Sequence, residues 1–151
     1  MKRLSNYRKS PVNIIRIRYG KERFIFNLYD EAKIDMEMLD SEIKGTPSKY
    51  GFLLLLHKKL LTQFEEAKIE KDRIWGTLYL ASKGKIGSNN RPYNEDSCKA
   101  YADKHKNYIK AKFICIQIKQ DADHIYSAIR TLEMKANLLQ TLSSNKRKET
   151  F

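Results

Sequence analysis

The sequence carries little from which to build a catalytic centre or a membrane anchor. Of its 151 residues, two are cysteine, three histidine, three proline and six glycine. Cys98 and Cys115 lie about five turns apart on one expected helix, so they cannot bridge each other within it. Neither sits at metal-ligand spacing, so no disulfide framework or metal site is expected, and a reducing cytoplasm is the simplest home. His57, His105 and His124 each lack a second histidine three or four residues away, and no nucleophile stands beside a plausible base. They read as surface or half-buried helix residues. The stretch Gly84-Lys85-Ile86-Gly87-Ser88 has the composition of a phosphate loop without its order, and no strand feeds it, which excludes a nucleotide site. Long apolar runs are missing too. Phe52 to Leu56 is stopped by His57, Lys58 and Lys59, far short of the ~20 residues that cross a bilayer. The basic start MKRLSNYRKSP is not followed by the apolar stretch of a secretory signal. The expectation is a cytoplasmic protein with no enzymatic activity, no cofactor, no metal and no membrane contact.

What the chain has is positive charge and helical periodicity. Thirty lysines and arginines against 18 acids give a formal net charge of +12, and 41% hydrophobic residues suit a folded chain. Such a balance favours a polyanionic partner. In the C-terminal third, Tyr101, Lys104, Tyr108, Ala111, Cys115, Ile118, Ala122, Ile125, Ile129, Leu132, Ala136 and Leu139 follow at alternating gaps of three and four. That is the a/d seam of a helix built to pack along another helix. The seam runs on the order of 55–60 Å, whereas a compact globule of this length has a radius of gyration of roughly 15 Å. The expected molecule is elongated and completed by other copies of the chain.

Residues 1–29 form a basic arm and a β-hairpin. Ile15, Ile17 and Tyr19 alternate with Arg16 and Arg18, Gly20-Lys21-Glu22 is the turn candidate, and Phe24, Phe26 and Leu28 alternate with Ile25 and Asn27. A lone hairpin is marginal in water, so it must pack on something or pair with a neighbour. Residues 30–145 form a helical body with helices expected at about 31–44, 47–81 and 95–142. Asp30 can cap the first and Gly45 end it; Thr46 and Pro47 restart the chain as N-cap and first helical residue. Leu53, Leu60, Ala67 and Ile74, with Phe64 and Leu78, make the second helix's seam. Residues 82–94, SKGKIGSNNRPYN, are the clear break, and Asn94 or Ser97 caps the third helix. Ser143, Ser144 and Asn145 end it, leaving 146–151 as a basic tail. The fold class is mainly α: a long antiparallel helical hairpin or coiled coil with a short N-terminal β-hairpin.

Four basic regions could meet a polyanion. The arm and hairpin carry Lys2, Arg3, Arg8, Lys9, Arg16, Arg18, Lys21 and Arg23, interleaved with Tyr7, Tyr19, Phe24 and Phe26. Cations for phosphates and rings for bases suit a single strand; equally, the rings could pack on the helices with the arginines merely exposed. The end of the second helix offers Lys68, Lys71 and Arg73, followed by Trp75 and Tyr79, either of which could stack on a base or serve as core. The loop offers Lys83, Lys85 and Arg91, with glycines that would let backbone amides approach phosphates. The third helix begins with Lys99, Lys104, Lys106, Lys110 and Lys112, ordinarily a solvated face. Glu65, Glu66, Glu70 and Asp72 sit at ion-pair spacing from the second region's cations. No recognition-helix, zinc-finger or RNA-recognition signature is present, so any affinity rests on the backbone.

Glu66-Ala67-Lys68-Ile69-Glu70-Lys71-Asp72-Arg73-Ile74, running into an aromatic pair and a glycine-containing basic loop, resembles the UvsY family of small phage recombination mediators. So do Met38-Leu39-Asp40 in the first helix and the closing segment Met134 to Ser143, a likeness covering roughly residues 30–145. The resemblance implies a homo-oligomer that binds single-stranded DNA along its backbone and helps a RecA-like recombinase displace single-strand-binding protein. It maps the family's Lys-x-Arg onto Lys71 and Arg73. The hairpin of residues 12–28 has no counterpart in that pattern, and the loop after Tyr79 is arranged differently. The resulting expectation is a non-sequence-specific single-stranded DNA-binding mediator using Lys71 and Arg73, extended by Lys68, Lys83, Lys85, Arg91, Arg16 and Arg18, with Trp75 or Tyr79 stacking. The rivals are a coiled-coil adaptor for an acidic protein partner and an RNA-binding protein.

Overall fold

A computed structural model describes residues 14–19, 21–88 and 90–149. The elements are β1 (Ile14–Tyr19), β2 (Glu22–Asn27), α1 (Leu28–Ala32), α2 (Leu39–Ser82), α3 (Glu95–Lys104) and α4 (Lys106–Glu149). The protein is mainly α with an N-terminal two-stranded antiparallel hairpin. Two compact units divide it: one joins the residues up to Lys58 with those from Asp123 onward, the other is Lys59–Ala122. Among the described residues no helix is long and apolar enough to cross a membrane.

In the first unit, the period-two pattern does what strand geometry requires. Ile15 pairs with Phe26 and Ile17 with Phe24, putting four apolar side chains on one face of the hairpin. Ile15 and Ile17 are buried, and Phe24 packs on Phe52 of α2 with ring centroids 5.6 Å apart. Arg16 and Arg23 lie on the exposed opposite face. Gly20 lies outside the described residues. Asn27 ends β2 and caps α1, its Oδ1 accepting from the Tyr29 N–H at 3.2 Å. Asp30, expected as the cap, instead sits in the first turn of α1. Lys49 Nζ reaches Glu31 at 2.9 Å, tying α1 to α2.

The expected helices at 31–44 and 47–81 are not the observed ones. Asp35 Oδ1 accepts from the Glu37 N–H at 2.9 Å, a local turn that competes with helix, and the chain is irregular until Leu39. From there α2 runs without a break through Gly45, Thr46 and Pro47. Pro47 withholds an N–H from the Ile43 carbonyl. The helix persists because Leu39, Thr46, Leu53 and Leu60 recur every seven residues and all are buried. The Thr46 hydroxyl donates to the Glu42 carbonyl at 2.8 Å, satisfying itself inside the seam. Stripe burial outweighs the local breakers.

α2 and α4 lie antiparallel in this unit. Glu42 meets Lys135, Tyr50 meets Glu133, and the His57 ring lies 5.7 Å from that of Tyr126, rising along α2 as they fall along α4. Ile125, Ile129, Leu132 and Leu139 are buried as the seam requires, but Ala136 is exposed. Lys135 takes its place, 4% exposed, with Nζ 2.7 Å from Glu42 Oε2. Its aliphatic stem fills the seam and the carboxylate neutralises its tip. Residues 146–148 are the last turn of α4 rather than a tail. Ser144 donates to the Gln140 carbonyl instead of ending the helix, and the three cations suit the negative end of the dipole.

In the second unit the same two helices are again antiparallel: Lys119 lies over the Phe64 ring, while Ala67 and Ile74 share a groove with Ala111 and Asn107. Leu60, Cys98, Ala102, Ala111, Cys115 and Ala122 are buried, a mostly small-residue core that lets helices approach closely. The single helix expected over 95–142 is two. His105 is extended at φ −72° and ψ 133°, and its Nδ1 accepts from the Asn107 N–H at 3.2 Å, so it caps α4. Asn94 caps α3 as expected, accepting from the Ser97 N–H at 2.8 Å.

Candidate nucleic-acid interface

Eight of the ten expected contact residues fall in the second unit, and their surroundings differ sharply. From Glu65 to Arg73, four acids stand against three bases. Arg73 holds Glu70 with two hydrogen bonds, Nε to Oε2 at 2.7 Å and Nη2 to Oε1 at 2.8 Å. That contact pulls the Glu70 carboxyl below its ordinary range and raises the guanidinium. Lys71 Nζ is 3.1 Å from Asp72, whose hydrogen bond raises the ammonium against the opposing effect of burial. Its side chain is only 23% exposed and lies near Tyr108 and Cys115 of α4. Lys68 is 3.8 Å from Glu65. The cations at the end of α2 are thus largely answered by their own helix.

Trp75 and Tyr79 are given to each other. Their rings stack at 5.3 Å and 9°, the Trp75 Nε1 donates to Asp103 at 2.8 Å, and Lys83 Nζ lies 5.3 Å from the Tyr79 ring centre. This ladder ties α2 to α3, with one face of each ring already covered.

The connection between α2 and α3 is a built structure. Gly84 leaves the helix at φ +86°, a conformation that side-chain-bearing residues enter with strain. The Tyr93 N–H donates to the Lys85 carbonyl and the Gly87 N–H to that of Arg91, both at 2.8 Å, bridging Ile86 to Pro92. The N–H groups of Lys83, Lys85 and Asn90 also donate within the loop or to the end of α2. Those five N–H groups are committed within the fold, and beside them the loop presents cationic side chains. From Lys83 to Lys112, eight lysines and arginines stand against three acids. Two of those acids are engaged, Asp103 by Trp75 and Glu95 by Lys99 at 2.7 Å, which with the more distant Lys83 holds the Glu95 carboxyl low. Among the described residues no carboxylate lies within ion-pair distance of Lys83, Lys85, Lys104 or Lys106.

The remaining expected residues lie in the first unit. Arg16 is exposed on β1 opposite Ile25; Arg18 is paired through its backbone with Arg23, and its side chain lies outside the described residues. Tyr7, Lys2, Arg3, Arg8 and Lys9 also lie outside them.

One feature was not legible in the sequence. Beside the loop, a groove of about 1030 Å³ is lined by Arg91, Tyr93, Tyr101, Lys104, His105 and Lys106 among others, none of them acidic. The Tyr93 and Tyr101 ring centres are 6.5 Å apart at 62°, and Tyr101 and His105 are 5.8 Å apart. Heptad spacing assigns Tyr101 and Lys104 to a buried seam. Only the break at His105 brings them to this surface.

The fold has solved counterparts. Three crystal structures of the bacteriophage T4 recombination mediator protein UvsY, in different lattices, match at TM-scores of 0.65, 0.66 and 0.66. Identity is 14%, 14% and 13%, over 82%, 81% and 81% of this chain and 93%, 92% and 95% of theirs. No protein-family model and no curated protein matches the sequence. The chain has a UvsY-like fold.

Proposed function

We propose that this chain binds single-stranded DNA along its backbone without sequence preference, as a homo-oligomeric recombination mediator that helps load a RecA-like recombinase against single-strand-binding protein. The observation that carries the reading is the excess of eight lysines and arginines over three acids from Lys83 to Lys112, on a fold shared with a recombination mediator. Lys83, Lys85 and Arg91 neutralise phosphates. Lys68, Lys71 and Arg73 extend the path by exchanging exposed carboxylate partners for phosphate. Solvent screens the exposed pairs of Lys68 and Arg73, so those carboxylates are readily exchanged. Trp75 and Tyr79 brace the helices from which these cations project, and Arg16 and Arg18 on the hairpin are a separate basic element.

Self-association is supported by Ile109, Phe113 and Ile116, exposed at i, i+4 and i+7 of α4 outside the buried seam. A second copy supplies a matching stripe. The same stripe keeps the adaptor reading alive, because an apolar face also fits another protein.

Competition between single-stranded DNA, duplex DNA and folded RNA tests the proposal. Single-stranded DNA should win at low salt and lose affinity steeply as salt rises. Lys71→Ala/Arg73→Ala should weaken binding two- to fivefold with the oligomer intact. No DNA binding at low salt, or preference for folded RNA, would give the protein to one of the rival classes.

A further inference from the structure

The groove at the α3–α4 junction has a composition that backbone neutralisation alone does not call for. In a continuous helix, residues two apart point to different sides. Lys104 and Lys106 nevertheless line one groove, because the extended His105 between them breaks the helix. The break thus gathers two cations, and the loop adds Arg91 to the groove's lining. Tyr93, Tyr101 and His105 line the same groove, the Tyr93–Tyr101 and Tyr101–His105 ring centres 6.5 and 5.8 Å apart. Lys85 sits 4.0 Å over the Tyr101 ring but does not line the groove, so it steadies the ring from outside. The α4 N-terminus opens here with no acid in its first turn. A site for phosphate alone has no use for three rings, and a groove for an apolar peptide would not carry three cations.

We propose that this groove takes an unstacked base of a DNA single strand, with Tyr101 and Tyr93 as its apolar walls and Arg91, Lys104 and Lys106 holding the flanking phosphates. Its volume exceeds the ~300–1,000 Å³ of ordinary small-ligand sites, leaving room for a base with its sugar and neighbouring phosphates. The inference rests on the single-stranded DNA reading and adds to it a place where bases, rather than the backbone, contribute affinity. Stacking on aromatic side chains tolerates any base, so the subsite does not impose sequence preference.

The test compares an oligothymidylate with an abasic strand of equal length, on the full-length chain and on Tyr101→Leu and Tyr101→Phe. The wild type should bind the oligothymidylate about tenfold more tightly than the abasic strand. Tyr101→Leu should erase that difference while leaving abasic binding and the salt slope within twofold; Tyr101→Phe should keep it. Equal wild-type affinity for the two strands would overturn the base subsite while leaving backbone binding intact. A loss in Tyr101→Leu that is the same for both strands, or shared by Tyr101→Phe, would also overturn it. Failure of the wild type to bind either strand at low salt would remove the DNA reading and the subsite with it.

Discussion

Lys135 is 4% exposed, its ammonium held 2.7 Å from a Glu42 carboxylate that keeps 26% of its side-chain surface in water. The pair is asymmetric. Removing Glu42 strands a buried cation, whereas removing Lys135 leaves an acid that water can reach. Glu42→Ala should therefore destabilise the fold by about 3 kcal/mol, and Lys135→Met, which keeps the stem and drops the charge, should stay within about 1 kcal/mol of the wild type. Denaturant unfolding at fixed protein concentration checks this; equal losses would contradict the asymmetry. Nothing local distinguishes Lys135 from the exposed lysines around it. Heptad counting selects Ala136, and only the opposing Glu42, 93 positions away, turns a lysine into a seam residue. By contrast, the cysteine at position 115 is buried where periodicity puts it, because a small apolar side chain needs no partner to make its place.

Among the elements, the hairpin was legible because alternation fixes which side chains share a face, and Ile15, Ile17, Phe24 and Phe26 share one. Helix boundaries were less so. Gly45 and Pro47 are breakers by local rule, yet the buried column through Leu39, Thr46 and Leu53 overrides them. His105 is no standard cap, and the uninterrupted heptads gave no warning of it; its ring nitrogen and the Asn107 N–H make the break. The loop between α2 and α3 was legible as a break but not as a bridged turn with five of its N–H groups bonded internally. Gly84 starts it at φ +86°. Gly84→Ala should cost about 1 kcal/mol and Gly84→Asn less, since asparagine enters the left-handed region more readily. Thermal unfolding of the two variants measures this, and an alanine variant as stable as the wild type would mean that the helix end does not depend on that geometry.

At the scale of the molecule, composition indicated a polyanionic partner but not where the charge acts. The net charge of +12 is unevenly answered. From Glu65 to Arg73 the three bases are matched by acids on their own helix, while from Lys83 to Lys112 eight bases stand against three acids. Spacing of three foretold the Lys68–Glu65 and Arg73–Glu70 pairs, but Lys71 pairs instead with adjacent Asp72; the groove beside the loop needed three dimensions, since its lysines line it only across a broken helix.

The central claim is that the cations of the α2–α3 connection neutralise DNA phosphates. The most direct measurement is the salt dependence of single-stranded DNA affinity for the wild type and for Lys83→Ala/Lys85→Ala. Each phosphate contact adds about 0.7 to the slope of log affinity against log salt, so the double variant should bind more weakly with a slope shallower by about 1.4. A variant that keeps both the affinity and the slope of the wild type would contradict the account.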